Sequence, residues 1–327
     1  MKVVIPMAGF GKRLRPLTYS RPKPLVNIAG HPMLKHVIDS LEGIDIDEYI
    51  FIVGYLGDQI QEYINANYDI KATFIEQKEM IGQSHAIYLA REHLQGPVIV
   101  LFADTLFEAN VRAINTATND GVIYVKEVDD PRSFGVVRLD EQGYITSFIE
   151  KPPTMDNKLA VIGLYYVRES EKLLAAIEKQ MAQNIARNGE YFIADAFQIM
   201  INEGARLSTE QVGVWLDCGK PDALLETNQY LLRHNADNST DIHNDTVMII
   251  PPVYIHPSAK IEHAIIGPYT TISADCEIRD SIIRDSIVDS SAVVTNTILV
   301  QSLIGRDARV VGRYRTLNIS DTSTLIE

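Results

Sequence analysis

Residues 5–25 read I-P-M-A-G-F-G-K-R-L-R-P-L-T-Y-S-R-P-K-P-L, and they carry the clearest signal in the 327-residue sequence. A β-branched apolar run at residues 3–5 comes just before and predicts a short buried strand. Gly9 and Gly11 then allow a tight turn whose backbone N–H groups can face an anion. The chain has a net charge of -13, yet no Asp or Glu appears before Asp39. A basic turn in such an acidic protein indicates a phosphate-bearing ligand, and its basic residues are Lys12, Arg13, Arg15, Arg21 and Lys23.

The spacing of the glycines argues against the commoner phosphate-binding loops. A Walker A loop that ends at Gly11-Lys12 requires Gly where Pro6 stands and Ser or Thr where Arg13 stands. A dinucleotide-binding loop requires a small residue where Leu14 stands and an acidic residue about 20 positions further on, and the sequence supplies neither. Taken alone, the loop can also be read as a strand-to-helix turn with incidental lysines.

The composition is typical of a two-domain protein outside the membrane. With 327 residues and 46% hydrophobic content, the chain can bury one large core and a second, smaller one. No run approaches 18 apolar residues and no hydrophobic signal segment precedes the first strand, so we expect a cytoplasmic protein. The acidic charge disfavours nucleic acid as a partner. The two cysteines, Cys218 and Cys276, match neither a disulfide framework nor a metal-ligand spacing.

Residues 1–110 alternate short apolar runs with amphipathic stretches, which predicts a Rossmann-like, mostly parallel sheet with flanking helices. Asp104 follows the last apolar run and is therefore expected at the carboxyl edge of the sheet, where ligands gather. A turn-forming aspartate is the alternative. We predict strands at 2–5, 49–53, 72–76 and 97–102, and helices around 33–41, 60–64 and 86–94.

The second half of the chain changes its pattern twice. Residues 121–167 predict a run of strands, and a polar stretch then suggests a linker at 237–246 between a domain at 1–236 and another at 247–327. Beyond the linker, an apolar residue recurs near every sixth position, which predicts a β-helix of about three coils, with a β-sandwich as the alternative. The recurring residues are Ile255, Ile261, Ile266 or Gly267, Ile272, Ile278, Val288, Val294 and Val300.

The basic stretch resembles the signature of the sugar nucleotidyltransferases, enzymes that join a nucleoside triphosphate to a sugar 1-phosphate. Their signature is A-G-G-x-G-T-R-L-x-P-L-T followed by P-K-P, and this chain has M-A-G-F-G-K-R-L-R-P-L-T followed by R-P-K-P. Ala8 replaces the first glycine, and Lys12 replaces a small hydroxyl residue and adds a cation. Phrases such as S-I-I-R-D-S-I-V also resemble the left-handed β-helices appended to many of these enzymes. The resemblance implies an α/β catalytic domain followed by a left-handed parallel β-helix.

The resemblance implies in-line attack of a sugar-phosphate oxygen on the α-phosphorus of the nucleotide, with release of pyrophosphate. The attacking phosphate is already an anion, so the protein has to position the substrates and neutralise charge. Asp104 in F-A-D-T and Asp217 in W-L-D-C-G-K-P would hold Mg²⁺. Arg13 would neutralise the departing pyrophosphate, while Lys23 and Lys151 would hold the α-phosphate and the sugar phosphate.

The resemblance also assigns residues to the two substrates. Gln77 and the backbone of Gly82 would read the pyrimidine edge, and Glu150 would accept hydrogen bonds from the sugar. From the residues alone, Glu150 and Lys151 would be a solvent-facing pair. Residues 189–197, G-E-Y-F-I-A-D-A-F, resemble a further motif of the family, for which we expect a structural role. The predicted nucleotide-binding residues are Ala8, Gly9, Gly11, Lys12, Arg13, Gln77, Gly82 and Asp104, and the sugar-binding residues are Gly135, Glu150, Lys151 and Val161.

Residues 215–229, W-L-D-C-G-K-P-D-A-L-L-E-T-N-Q, look most like the long glucose-1-phosphate thymidylyltransferases, which implies dTTP and glucose 1-phosphate. Alternatives are UTP or GTP with glucose, N-acetylglucosamine or mannose 1-phosphate, and a non-catalytic subunit that senses sugar phosphates. An acyltransferase activity of the β-helix is disfavoured, because the β-helix is short and His256 and His263 lack a recognisable partner set. Self-association through either domain is also open. A cluster of Arg306, Arg309, Arg313 and Arg315 indicates either an effector site or a solvated last coil, and the solvated coil is the simpler account.

Overall fold

The computed structural model describes residues 1–242 and 245–313, which form two compact units. The first unit contains Met1–Val26 and His31–Leu224, and the second contains Asn27–Gly30 and the described residues from Leu225 onward. The division between the units therefore lies ahead of the predicted linker at 237–246.

A mixed sheet of nine strands, counted within the described residues, forms the first unit. The strands of residues 1–217 are β1 (Lys2–Pro6), β2 (Asn27–Ile28), β3 (His31–Pro32), β4 (Glu48–Val53), β5 (Ala72–Glu76), β6 (Val98–Leu101), β7 (Thr105–Glu108), β8 (Gly121–Glu127), β9 (Gly135–Leu139), β10 (Ile145–Glu150), β11 (Leu159–Val167), β12 (Leu207–Gln211) and β13 (Val214–Asp217). The main sheet has the order β10-β9-β11-β6-β1-β4-β5, with β8 beside β11 and β12 beside β8.

The strands around β1 pair in parallel, and those around β11 pair antiparallel, except that β12 at the edge pairs in parallel with β8. Strand β1 pairs in parallel with β4 and β6, and β4 pairs in parallel with β5. Strands β9, β10 and β11 pair antiparallel to their neighbours. Val3, Val4 and Ile5 are fully buried, because a parallel strand with helices on both faces has no side exposed to water. The predicted α/β class is confirmed, and the four predicted strands lie where expected.

Six α-helices occur within residues 1–242. They are α1 (Met33–Asp39), α2 (Gly57–Asn67), α3 (Gln83–Leu89), α4 (Ser170–Ala182), α5 (Ile193–Asn202) and α6 (Pro221–Leu231). Buried apolar residues of α3, α4 and α5 belong to the same core cluster as those of the sheet. Helix α3 ends earlier than its apolar spacing predicts, since Ala90 and Leu94 lie in turns yet still belong to the core. Across the described ranges, no helix combines the length and the apolar character needed to cross a lipid bilayer.

The second unit is a parallel β-helix. Its strands are β14 (Val247–Ile249), β15 (Val253–Ile255), β16 (Lys260–Glu262), β17 (Ala264–Ile266), β18 (Thr270–Ile272), β19 (Glu277–Arg279), β20 (Ile282–Arg284), β21 (Ile287–Val288), β22 (Val293–Thr295), β23 (Ile298–Val300), β24 (Leu303–Ile304) and β25 (Arg309–Val311). They form three four-stranded parallel sheets within residues 245–313, so the described part has four coils and the predicted number of three is wrong.

The coils are shorter than three unbroken hexapeptides, which would take 18 residues. Val247 pairs with Ala264, 17 residues on, and Ile282 pairs with Ile298, 16 residues on. The shorter coils shift the phase of the repeat, so the prediction for Val300 is wrong: its side chain is 39% exposed and Leu299 packs against the core instead. Ile255, Ile261, Ile266, Ile272, Ile278, Val288 and Val294 are buried as expected.

Candidate active site

The glycine loop after β1 is held in one shape by its own backbone. Gly11 has a φ of +59°, and a Cβ there would lie 3.1 Å from side-chain atoms of both Lys23 and Thr18. The hydroxyl of Thr18 donates to the Gly11 carbonyl at 2.9 Å. A short helical turn, Lys12–Leu14, follows and buries Leu14. Glycine is therefore favoured at position 11 by its left-handed conformation, and a larger residue would have to displace the side chains of Lys23 and Thr18 slightly.

A cavity of about 380 Å³ lies against this loop. It is lined by several of the predicted residues, namely Gly9, Gly11, Lys12, Arg13, Lys23 and Asp104. Three cationic side chains and backbone groups of a glycine turn thus face one space, together with a single carboxylate among its lining residues. This combination suits a polyphosphate, because fixed positive charge and free N–H groups both stabilise anions.

The carboxylate in this cavity is held by an ion pair. Nζ of Lys23 lies 2.5 Å from Oδ2 of Asp104, and the Lys23 side chain is only 15% exposed. Burial opposes ionisation of Asp104, but the charges of Lys23 and Arg13 outweigh it and hold the pKa of Asp104 below its ordinary value. Asp104 is therefore an anion at neutral pH, ready to accept a cation.

The second predicted carboxylate reaches the same region through strand pairing. In the β7–β13 pair, Asp217 lies opposite Thr105, and the N–H of Cys218 donates to the Asp104 carbonyl at 3.1 Å. Oδ1 of Asp217 accepts from the N–H of Gly219 at 2.9 Å. A Cβ on Gly219 would lie 2.8 Å from that oxygen and 2.9 Å from the Arg13 guanidinium. Asp104 and Asp217 are thus neighbours across two strands, although they are remote in the sequence.

These two aspartates fit a magnesium site that a substrate completes. No group of three or more His, Cys, Asp or Glu side chains suited to a metal ion occurs in residues 1–242 and 245–313. Mg²⁺ takes hard oxygen ligands, keeps several waters, and is commonly bound by one or two carboxylates together with substrate phosphates. Two aspartates beside a cation-lined cavity match that description.

The residues predicted to read the base also meet. Gln77 is 5% exposed, and its Nε2 donates to the Gly82 carbonyl at 3.2 Å. Gly82 has a φ of +112°, and a Cβ there would lie 2.4 Å from backbone atoms of Tyr191. Gln83, the next residue in the chain, lines the cavity. Ala8, which was predicted to bind the nucleotide, is buried and is not among the lining residues. The carboxamide of Gln77 is therefore held against the Gly82 carbonyl and Nδ1 of His85, also 3.2 Å from its Nε2, although Gln77 is not among the residues that line the cavity.

Three adjacent strands bring the predicted sugar residues together. A Cβ on Gly135 in β9 would lie 3.0 Å from Oε2 of Glu150 in β10 and 3.2 Å from Cγ2 of Val161 in β11. Nζ of Lys151 lies 3.8 Å from Oε1 of Glu150. The Glu150 side chain is 15% exposed, so the solvent-facing alternative is wrong for this carboxylate. Burial raises the pKa of Glu150.

Two charged residues beside Glu150 were missed by the sequence analysis. The guanidinium of Arg187 donates to the Glu150 carbonyl at 3.3 Å and to Oδ1 of Asp195 at 2.8 Å. Asp195 lies in the motif at 189–197 for which only a structural role was expected. Its resemblance to a family motif, together with a basic residue just before it, was the available signal.

The candidate residues of the β-helix bind near neighbours. Nδ1 of His256 lies 2.9 Å from the Ser258 hydroxyl, and Nδ1 of His263 lies 3.7 Å from Asp280. Nε of Arg306 lies 3.6 Å from Asp307. Arg309 and Arg313 are exposed, and Arg315 lies outside the described residues. These contacts favour the solvated coil over an effector site.

A family model described as nucleotidyl transferase matches residues 2–234, which span the cavity, both aspartates and the sugar residues. The chain belongs to this family. The predicted resemblance to the sugar nucleotidyltransferases is thereby confirmed, and so is the expected fold.

Two relatives show how far the similarity extends. The bifunctional protein GlmU of Methanocaldococcus jannaschii is 34% identical over 249 residues, which cover 76% of this chain and 59% of that protein. A glucose-1-phosphate thymidylyltransferase of Streptomyces griseus is 27% identical over 307 residues, which cover 86% of this chain and 85% of that protein. The chain thus spans about three-fifths of the GlmU relative's length.

A solved structure, UDP-glucose pyrophosphorylase complexed with UDP-glucose, has the same fold. It aligns with a TM-score of 0.64 and 22% identity, covering 71% of this chain and 98% of that one. At this identity the likeness establishes the architecture alone.

Proposed function

We propose that the chain is a sugar-1-phosphate nucleotidylyltransferase, and that it makes a nucleoside diphosphate sugar and pyrophosphate from dTTP and glucose 1-phosphate. The observation that carries this proposal is the cavity at the glycine loop, which is lined by Lys12, Arg13, Lys23 and the ionised Asp104. A triphosphate brings up to four negative charges. This site offers three cations to neutralise them, and a carboxylate that would hold a divalent cation beside the phosphates.

Each residue then has a role in the reaction. Arg13, whose guanidinium lies against Gly219, neutralises the charge that develops on the departing pyrophosphate. Lys23 holds the α-phosphate, and Lys151 holds the phosphate of the sugar. Asp104 and Asp217 hold Mg²⁺, which supplies charge stabilisation at the phosphates when bound. The protein abstracts no proton, because the attacking oxygen is already anionic.

The sugar is oriented by the cluster on β9, β10 and β11. Glu150, once ionised, accepts hydrogen bonds from sugar hydroxyls, and Gly135 leaves room because a side chain there would meet Oε2 of Glu150 at 3.0 Å. Gln77 offers a fixed carboxamide to the edge of the base. We place the reaction in the cytoplasm, where nucleoside triphosphates are available.

The choice of substrate pair is the finer part of the proposal. It rests on residues 215–229 and on the thymidylyltransferase relative, whose alignment covers both chains almost fully. The GlmU relative has a higher identity over a shorter part of its length, so UTP or GTP with another sugar 1-phosphate is the alternative. A non-catalytic subunit is disfavoured, because Arg13, Lys23, Asp104 and Asp217 are all retained.

A pyrophosphate-release screen tests both levels of the proposal. Four nucleoside triphosphates are each paired with glucose, N-acetylglucosamine, galactose and mannose 1-phosphates in the presence of Mg²⁺. We expect the highest kcat/KM with dTTP and glucose 1-phosphate. Faster turnover with another pair would correct the substrates, and no pyrophosphate from any pair would overturn the enzyme assignment.

A further inference from the structure

Residues 184–195 link the loop of Gly82 to the strand that carries Glu150. In the middle of the segment, the N–H of Tyr191 donates to the Ile81 carbonyl at 2.8 Å, and the N–H of Ser84 donates to the Tyr191 carbonyl at 3.1 Å. Gly82 fits between them only because it lacks a side chain. The segment is therefore fixed to the base-reading loop by backbone contacts.

On either side of Tyr191, the segment carries a charged residue near Glu150, namely Arg187 and Asp195. Arg187 donates one hydrogen bond to the Glu150 main-chain carbonyl and another to Asp195. The main chain turns back on itself between Arg187 and Glu190, which exchange two backbone hydrogen bonds of 3.0 Å. Glu150 is the last residue of β10, so the guanidinium holds the point where this strand ends.

Asp195 is placed at a cost in stability. Its side chain is 12% exposed, and its buried Oδ2 has no hydrogen-bond partner among the described residues. A buried carboxylate without full hydrogen bonding costs free energy. The ion pair with Arg187 compensates for part of this cost. The hydrogen bond from Arg187 to Oδ1 of Asp195 fixes the direction of the guanidinium.

We propose that Arg187 and Asp195 are positioning residues for Glu150: Asp195 orients Arg187, and Arg187 fixes the end of β10 so that the Glu150 carboxylate faces the sugar. This inference rests on the proposed function, since it concerns the sugar pocket of that reaction. The two residues act on the substrate through Glu150.

The charges around Glu150 give the proposal a distinctive signature. The groups that face it are Lys151 at the end of β10, Arg187, Asp195 in α5 and Tyr165 in β11. The pKa of Glu150 is raised by burial. The positive charges of Lys151 and Arg187 lower this pKa, and the negative charge of Asp195 raises it. Loss of the Asp195 charge should therefore lower the pKa of Glu150, whereas loss of the Arg187 charge should raise it.

The experiment measures binding of glucose 1-phosphate by titration calorimetry between pH 4.5 and 8, which needs no turnover. We expect Asp195→Asn and Arg187→Gln each to weaken binding about tenfold at pH 7.5, short of the ~10²-fold that a 1 Å displacement can cost. Binding should weaken as the pH falls and Glu150 becomes protonated. This loss should occur at a lower pH in Asp195→Asn than in the natural protein, and at a higher pH in Arg187→Gln than in the natural protein. The titration of the ligand's own phosphate is common to all variants.

Glu203→Gln is the matched control, since Glu203 forms a 2.6 Å ion pair with Lys179 at the exposed ends of α4 and α5. It should leave glucose 1-phosphate binding unchanged. Arg187→Lys should recover part of the binding if a cation at this place is what matters, and melting temperatures identify any variant that fails to fold. The proposal is overturned if both variants bind like the control, or if both shift the pH dependence in the same direction.

A parallel pyrophosphate-release assay separates this proposal from the proposed function. Calorimetric binding with opposite pH shifts, but without pyrophosphate release, would support the positioning role and overturn the enzyme. If the natural protein turns over and both variants bind glucose 1-phosphate normally, the enzyme assignment is supported and the positioning role is overturned. Absence of glucose 1-phosphate binding by the natural protein would overturn the positioning role and the choice of glucose 1-phosphate as the substrate.

Discussion

Replacement of Asp104 by Asn tests the centre of the proposed site with little change of shape. The carboxylate lies 2.5 Å from Nζ of Lys23 and is held ionised by Lys23 and Arg13. The substitution removes one negative charge from a cavity in which the other charged lining residues are cations. We expect kcat to fall by about 10²-fold or more, the scale of losing one group that stabilises charge in the transition state.

Asp104→Asn should also lower the free energy of unfolding, by an amount that depends on how deeply the Lys23–Asp104 ion pair is buried. Lys23 is 15% exposed and Asp104 is 33% exposed, so the pair is neither a surface contact nor fully enclosed. Loss of a charged partner at such a site costs about 2 kcal/mol. For a unit of this size, that corresponds to a fall in the melting temperature of roughly 4–8 °C.

Asp120→Asn is the control that separates the two effects. Asp120 forms a 3.0 Å ion pair with Lys172, accepts a backbone hydrogen bond from Arg206, and is not among the residues that line the cavity. It should lose stability without losing turnover. Pyrophosphate release is measured at saturating substrates and over a range of Mg²⁺ concentrations. If Asp104→Asn keeps more than about a tenth of its turnover, Asp104 does not hold the metal ion and the reasoning fails.

Three further changes test other parts of the site. Burial raises the pKa of Glu150, so its charge opposes folding once the pH rises through that value. Glu150→Gln should therefore raise the melting temperature at pH 8 but not at pH 4. An equal change in melting temperature at the two pH values would refute the effect of the Glu150 charge. Gly82→Ala should cost at least ~2 kcal/mol in urea unfolding, because the Cβ meets the Tyr191 backbone at 2.4 Å and φ is +112°; unaltered stability would contradict it. Lys12→Thr should raise the KM for the nucleotide about fivefold and weaken its salt dependence, because an exposed cation is screened by salt. An unchanged KM would show that Lys12 stays clear of the phosphates.

The sequence alone determined the local parts of the molecule. The apolar run at 3–5, the glycine turn and the basic side chains after it are adjacent in the chain, so their spacing predicts a phosphate-facing loop without knowledge of the rest. The position of Asp104 after a strand follows in the same way, since parallel strands end at a common edge. The repeat beyond residue 246 also identified the β-helix, because stacked coils require an inward apolar residue at a regular interval.

Tertiary structure decided which distant residues meet. Asp217 becomes a neighbour of Asp104 only through the antiparallel register of β7 and β13, and no local pattern encodes that register. Arg187 and Asp195 reach Glu150 because a turn and the start of α5 pack against the end of β10. The number of coils depended on the number of residues in each coil, 16 or 17 where a strict hexapeptide repeat would take 18, and the apolar period does not fix that number. Hydrophobic periodicity reports which face of an element is buried, whereas the pairing of elements depends on packing over the whole unit.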